Sequence, residues 1–155
     1  NLIQSATSTT FSHAPGTSTG GGLVVFAVTG LARTGTNAAK QAAKQDNQAL
    51  GGTPTPVLGT AALTGNCLIG AVFNASNPAT MTPRGTPVWT ERNDSGYNTP
   101  ASGLESMTIN SGETATSIAW GSTSATAFCA AVLELDCSAE RPIGSLVQPP
   151  VNHVN

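Results

Sequence analysis

Charge is scarce in this chain. Of 155 residues, six are Lys or Arg and eight are Asp or Glu, 9% in all. An average soluble domain carries roughly 25%. The net charge is −2, so no basic field exists to gather phosphates, which argues against direct nucleic-acid binding. There are only two histidines. A Ser-His-Asp triad would have to use His13 or His153, and metal ligation by His and Cys clusters fails on number. The three cysteines, Cys67, Cys129 and Cys137, contain no CxxC pair, which speaks against a zinc knuckle. An odd, sparse set is no disulfide scaffold. Cys67 and Cys129 sit in apolar runs, where a free cysteine behaves as a small core residue; a Cys67–Cys129 bridge stays open. No stretch approaches the ~20 apolar residues of a membrane span.

Gly (17), Pro (10) and abundant Ser, Thr, Ala and Asn stand where charge is missing. These residues suit turns and tight strands more than amphipathic surface helices. A nearly neutral surface also resists association poorly. It packs against neighbours without the desolvation penalty of buried charge, so the composition points to life in an assembly or outside the cell.

In chain order, Ser5 to Ala14 reads as a polar first strand near an edge and Pro15 to Gly22 as a turn. Leu23 to Val28 (LVVFAV) is apolar throughout and predicts a buried strand. Asn37 to Leu50 (NAAKQAAKQDNQAL) carries the one helical signal, with Ala, Lys and Gln as helix formers, Asn37 as cap and Gly51 as stop. Both lysines, Lys40 and Lys44, would lie one turn apart on it. Thr53 to Leu63 holds Pro54 and Pro56, which confine any strand there to an edge. Asn66 to Asn74 predicts a second buried strand, with Gly70 at a bulge or close backbone approach. Asn77 to Pro87 is loop.

The stretch Val88 to Asp136 then alternates strands and turns. Thr116, Ile118 and Trp120 alternate with smaller residues, as a half-buried strand requires, and Ala127 to Leu133 is apolar on both faces, as in a central strand. The tail from Ser138 loses periodicity and gains prolines. The expected fold is all-β: an antiparallel, jelly-roll-like β-sandwich of about eight strands with one short helix in a long loop. Residues 1–8 and 138–155 would be extended arms around a domain at 9–137.

Chemical motifs are weak. Gly16-Thr17-Ser18-Thr19-Gly20 matches G-x-S-x-G, but a strand follows it where a nucleophile elbow needs a helix. Glu91, Asp94 and Glu105 would serve as a glycosidase pair only if they flanked a groove; acids on such a domain ordinarily point outward. Asp94, Asn93 and Asp46 lack the loop of an EF-hand calcium site. Trp89 and Trp120 read as core, whereas Tyr97, in a turn, is the exposed aromatic. Asn74 and Asn93 begin N-x-S sequons that so Asn- and Ser-rich a chain produces by chance.

The runs VWTERNDSG, GLESMTI and ATSIAWGSTSATAFCAAVLELD together resemble a β-sandwich module of bacteriophage virion proteins and some bacterial surface proteins. STTFSHAPGTSTGGGLVVFAV resembles that module's first hairpin, so the likeness spans roughly residues 5 to 136. The 37–50 segment departs from the usual short loop. The resemblance implies no catalytic residues and no cofactor. It implies a structural protein on the virion surface, foremost a head decoration (cement) protein. Such proteins commonly form trimers and reach the major capsid protein or other virion proteins through terminal arms. Candidate contacts are Leu2, Ile3, Ile143, Leu146 and Val147 in the arms, with Lys40, Lys44 and Tyr97 on the domain. A tail or fibre module and a secreted carbohydrate-binding or adhesion module are the alternatives. A small hydrolase would need His13 beside a Ser and an acid.

Each buried apolar side chain is worth about 1.5–3 kcal/mol before ordering costs. Deleting Ser138 to Asn155 is therefore expected to abolish neighbour binding while the domain stays folded. Co-sedimentation with the partner assembly, beside circular dichroism of the free chain, checks this; binding that survives truncation rules the arm out.

Overall fold

The computed structural model describes residues 24–28, 31, 38–47, 51–99 and 101–137. Five strands form one open antiparallel sheet: β1 (Ala39–Asn47), β2 (Cys67–Ala75), β3 (Thr90–Asn98), β4 (Ala101–Ile109) and β5 (Phe128–Leu135), in the order β1-β5-β2-β4-β3. The architecture is all-β, with no helix among the described residues. The expected strand at Ser5–Ala14 and both arms, with Leu2, Ile3, Ile143, Leu146 and Val147, lie outside the described residues, as do His13, His153 and the G-x-S-x-G match.

Register sorts the side chains onto two faces. β2 places Leu68 opposite Ile109, Gly70 opposite Met107 and Val72 opposite Glu105 on β4. On its other side, β2 sets Gly70 against Val132 and Val72 against Ala130 of β5. These residues make an inner face. Trp89, Trp120, Ile118, Met81 and Leu58, from the segments between strands, pack onto it as the core. Gly70 is required there: a Cβ would stand 3.2 Å from Trp120 and 3.3 Å from Met107. The expected close backbone approach is thus the entry of an indole.

The layer over the inner face is built from two extended segments, 52–62 and 115–124. They join through Trp120 N–H to the Pro54 carbonyl, Ile118 N–H to Pro56, Leu58 N–H to Thr116 and a reciprocal pair between Gly52 and Ser124. Pro54 and Pro56 accept but cannot donate, so the ladder stays half-formed. The half-buried strand expected at 116–120 is corrected: Ile118 and Trp120 are buried, but Thr116 is exposed and the segment is extended chain, not a strand. Pro54 and Pro56 are buried, and the backbone bonds of their segment run to 115–124 on one side.

Buried carboxylates fasten the ends of these segments to the fold. The Glu134 carboxylate, on the inner face of β5, accepts from the Leu63 N–H at 2.9 Å and Asn66 Nδ2 at 2.7 Å, and Gln41 Nε2 also donates to it. Glu113 accepts from Trp89 Nε1 at 3.0 Å, from the Ala115 N–H at 2.9 Å, and pairs with Arg84 at 2.8 Å.

The 37–50 helix is corrected to strand β1. Ala, Lys and Gln favour a helix in isolation, but tertiary contacts override that preference. Gln41 is hydrogen-bonded to the Thr60 main chain, Asn47 donates to the Gly51 carbonyl, and Gln45 accepts from the Thr55 N–H. These inner-face residues recur at period two, and β5 pairs along the whole strand. Val24–Val28 is corrected as well. It is not assigned as strand and is not buried on both sides: Val24, Phe26 and Val28 are half-buried while Val25 is 80% exposed. Tyr97, expected in a turn, belongs to β3.

The disulfide joins Cys67 to Cys137, and Cys129 is free. Register explains why Cys67–Cys129 does not form. Cys67 lies opposite Leu135, two residues before Cys137, whereas Cys129 lies opposite Phe73, six residues along β2.

Replacing Glu113 by Ala strands the Arg84 cation and the Trp89 N–H together, and is expected to cost about 3–5 kcal/mol. Removing the cross-link with Cys137→Ser frees a 70-residue separation, for which loop entropy gives about 4 kcal/mol. Urea unfolding of each variant reads both values.

Candidate functional site

Three glutamates are 1% exposed: Glu105, Glu113 and Glu134. A buried carboxylate is tolerable when donors surround it and costly when they do not. Glu113 and Glu134 have their donors. For Glu134, burial pushes the carboxyl up, but the Leu63 amide, Gln41, Asn66 and the Lys40 charge overcome it and hold the group below its ordinary value. Glu105 is the exception, since neither of its oxygens has a hydrogen-bond partner.

Its neighbours are acids. β3 and β4 place Asp94 directly opposite Glu105, where cross-strand Cβ atoms come within about 4.5–5.5 Å. The register shifts between Glu91 and Asn93. This bulge uses three steps on β3 against two on β4, which returns Glu91 and Asp94 to the same face as Glu105. Burial, then the charges of Asp94 and Glu91, push the Glu105 carboxyl up to about 8. The Trp120 indole opposes this slightly, although its N–H completes no hydrogen bond of ordinary geometry. Asp94 is raised too, by burial and then by Glu91. Among the described residues, Arg84 is held by Glu113, and Arg92 donates to Thr108 Oγ1 at 2.7 Å on the other face.

Glu105 therefore corrects the expectation of outward acids. The signal was in the sequence: counting by two from Ile109 and Met107 along β4 puts Glu105 on the core-facing side. A glycosidase pair does not follow, because a carboxyl only 1% exposed cannot reach a glycosidic bond.

The remaining candidates do not converge on this patch. Lys40 pairs with Asp136 at 2.7 Å, and Lys44 stands exposed on the outer side of β1. Tyr97 is 51% exposed on β3, as expected for the outlying aromatic, while Trp89 and Trp120 are core. Cys129 is exposed, yet burial of its thiol and the Asp46 carboxylate push it up, so it is no activated nucleophile. Among the described residues, no three or more His, Cys, Asp and Glu side chains are grouped to hold a metal ion.

The folded chain keeps the Glu105 proton that the unfolded chain releases, so stability is fully present below pH 4.5 and is lost as pH rises toward about 8. The slope is at most ~1.4 kcal/mol per pH unit. Glu105→Gln is expected to flatten this fall and to be the more stable protein at pH 8. Denaturant midpoints across this pH range test it, and parallel curves for the two proteins would sink the assignment. Comparison with protein-family models, curated proteins and solved structures finds no match to this chain.

Proposed function

We propose that the chain is a non-enzymatic structural module that works by association with copies of itself and with neighbouring proteins. One observation carries the reading. The outer face of the sheet, opposite the core, is also apolar. Ile69, Ala71 and Phe73 from β2 join Ala131 and Leu133 from β5 and Ala42 from β1. Among the described residues only Val24–Val28 lies against this face: Val24 and Phe26 border a cleft with Phe73, Leu104 and Cys129. Over β1 and β5, Ala42, Lys44, Cys129 and Ala131 are exposed. A cleft of about 610 Å³ there is lined by Ala42, Lys44, Ile69, Ala131 and Leu133. Apolar strand surface of this kind invites a partner, and the low charge of the chain lets one approach without desolvating ions.

The setting favoured is the virion surface, as a capsid decoration protein of the kind the sequence resembles, with a trimer as the preferred oligomer. A β-sandwich suits this role. The half-formed ladder of 52–62 with 115–124 supports a second layer on the inner face, and the jelly-roll order and eight strands remain part of the same reading. A glycan-binding role loses support because two of the three aromatics it would use are buried.

Sedimentation velocity on the full chain tests the proposal. The wild type is expected to self-associate in the micromolar range, and Ala131→Glu or Leu133→Glu to dissociate it while circular dichroism stays unchanged. A wild type that remains monomeric at every concentration overturns the reading.

A further inference from the structure

The sheet is open, and its two edges differ. At one edge, β3 carries a bulge between Glu91 and Asn93 and turns Asp94 to the inner face opposite Glu105. Bulges within the strand and inward-pointing charges keep an edge from pairing with another chain. At the other edge, β1 has its bulge at the first end only, between Ala39 and Gln41. From Gln41 to Asn47, seven residues then pair one for one with β5. Every second residue of such a strand turns its N–H and C=O away from the sheet. Among the described residues, no strand pairs with that side of β1.

This edge is also held in place. Gln41, Gln45 and Asn47, alternate residues of β1, are tied on the inner side to the main chain of Thr60, Thr55 and Gly51. A strand fixed in this way loses little further freedom when another strand arrives beside it. At its middle stand Ala42 and Ala43. Their methyl groups leave room for a chain at the spacing of about 4.8 Å that a sheet requires. The charges of β1 are unevenly placed, with Lys40 and Lys44 followed by Asp46.

We propose that β1 pairs with the β1 strand of a second copy, antiparallel and about a two-fold axis normal to the sheet. Full overlap of the strand Ala39–Asn47 sets the axis on Ala43. That register brings Asp46 opposite Lys40 of the second copy and Lys44 opposite Ala42 of the second copy, and the symmetry repeats both pairs. No like charges are opposed. An axis on Ala42 would set Lys40 against Lys44, and an axis on Lys44 would set that lysine against itself, both of which destabilise a strand pair. A lysine on an edge discourages indiscriminate pairing; here it also selects the register. Lys40 already pairs with Asp136 at 2.7 Å, and Asp46 of the second copy extends that pair. The two sheets become one, and the exposed strips of Ala42 and Ala131 adjoin on its outer face. The inference rests on the reading that the chain associates with copies of itself, and it names the strand edge as a two-fold contact distinct from any the outer face makes.

Cysteine cross-linking on the full chain tests the register. Cys129 is first replaced by Ser to remove the free thiol. Ala42→Cys and Lys44→Cys are then made separately in that background; both positions are exposed. Under mild oxidation the two proteins mixed are expected to form a covalent dimer about tenfold faster than either alone, because only the mixture sets thiols opposite each other at disulfide distance. Equal rates in the mixture and in the single variants, or no dimer at all, overturn the proposal. Amide hydrogen exchange on the wild type gives the answer without substitution. Protection of the β1 amides is expected to rise with protein concentration while that of β3 does not. Protection of β1 that is independent of concentration overturns the pairing. A wild type that stays monomeric in sedimentation overturns this inference together with the reading beneath it. One that self-associates while the cross-link fails overturns the edge pairing alone.

Discussion

The structure depends on buried carboxylates that stitch an irregular layer to a regular sheet. The 52–62 and 115–124 segments must cover the inner face, yet Pro54 and Pro56 deny them a full ladder. Glu134 and Glu113 anchor the ends of these segments. Glu134 gathers the Leu63 amide and the Asn66 side chain just beyond the 52–62 segment, and Glu113 gathers the Trp89 indole and the Ala115 amide at the start of the 115–124 segment. The β1 residues Gln41, Gln45 and Asn47 do the same from the sheet edge. With these contacts in place Trp89, Trp120 and Ile118 are held against Met107, Gly70 and Val132, and the apolar core closes. A chain with so little charge places three of its eight acids at 1% exposure, and two of them, Glu113 and Glu134, serve as acceptors.

Much of the sheet was legible in the sequence. β2 and β5 announce themselves as apolar runs of strand length, and Gly70 through its position in such a run. β1 was not legible, for a physical reason. Its residues favour a helix in isolation, and its strand character comes from polar side chains that find loop amides only in the folded state. Period two is present in Gln41, Ala43, Gln45 and Asn47, but hydrophobicity does not mark it. The Cys67–Cys137 link was equally hidden, because it depends on the offset between β2 and β5 and not on spacing along the chain.

The candidate site was half visible. Glu91, Asp94 and Glu105 drew notice as acids, but Glu105 and Asp94 face one another only through the β3–β4 register. Glu91 joins them only through a one-residue bulge. The bulge falls at Arg92, whose guanidinium turns to Thr108 on the outer face. The one cation in the local sequence is thereby removed from the acids beside it, and no pattern of hydropathy reveals that.

The contrast among the three glutamates bears on what Glu105 is for. A glutamine at 105 would fill the same space without the penalty of ionisation, and a leucine or methionine would extend the core formed by Met107 and Val72. Glu113 and Glu134 need no such comparison, since donors surround the carboxylate at each site. A fold that satisfies two buried acids so fully has the means to satisfy a third. At Glu105 it instead sets a second acid opposite, brings a third alongside by a bulge, turns the adjacent arginine away and opens the neighbouring strand pair with two glycines. Acids of like sign so placed raise the cost of ionising Glu105. Local rules broken together at one position, while they are kept elsewhere, are the mark of a position shaped by something other than stability.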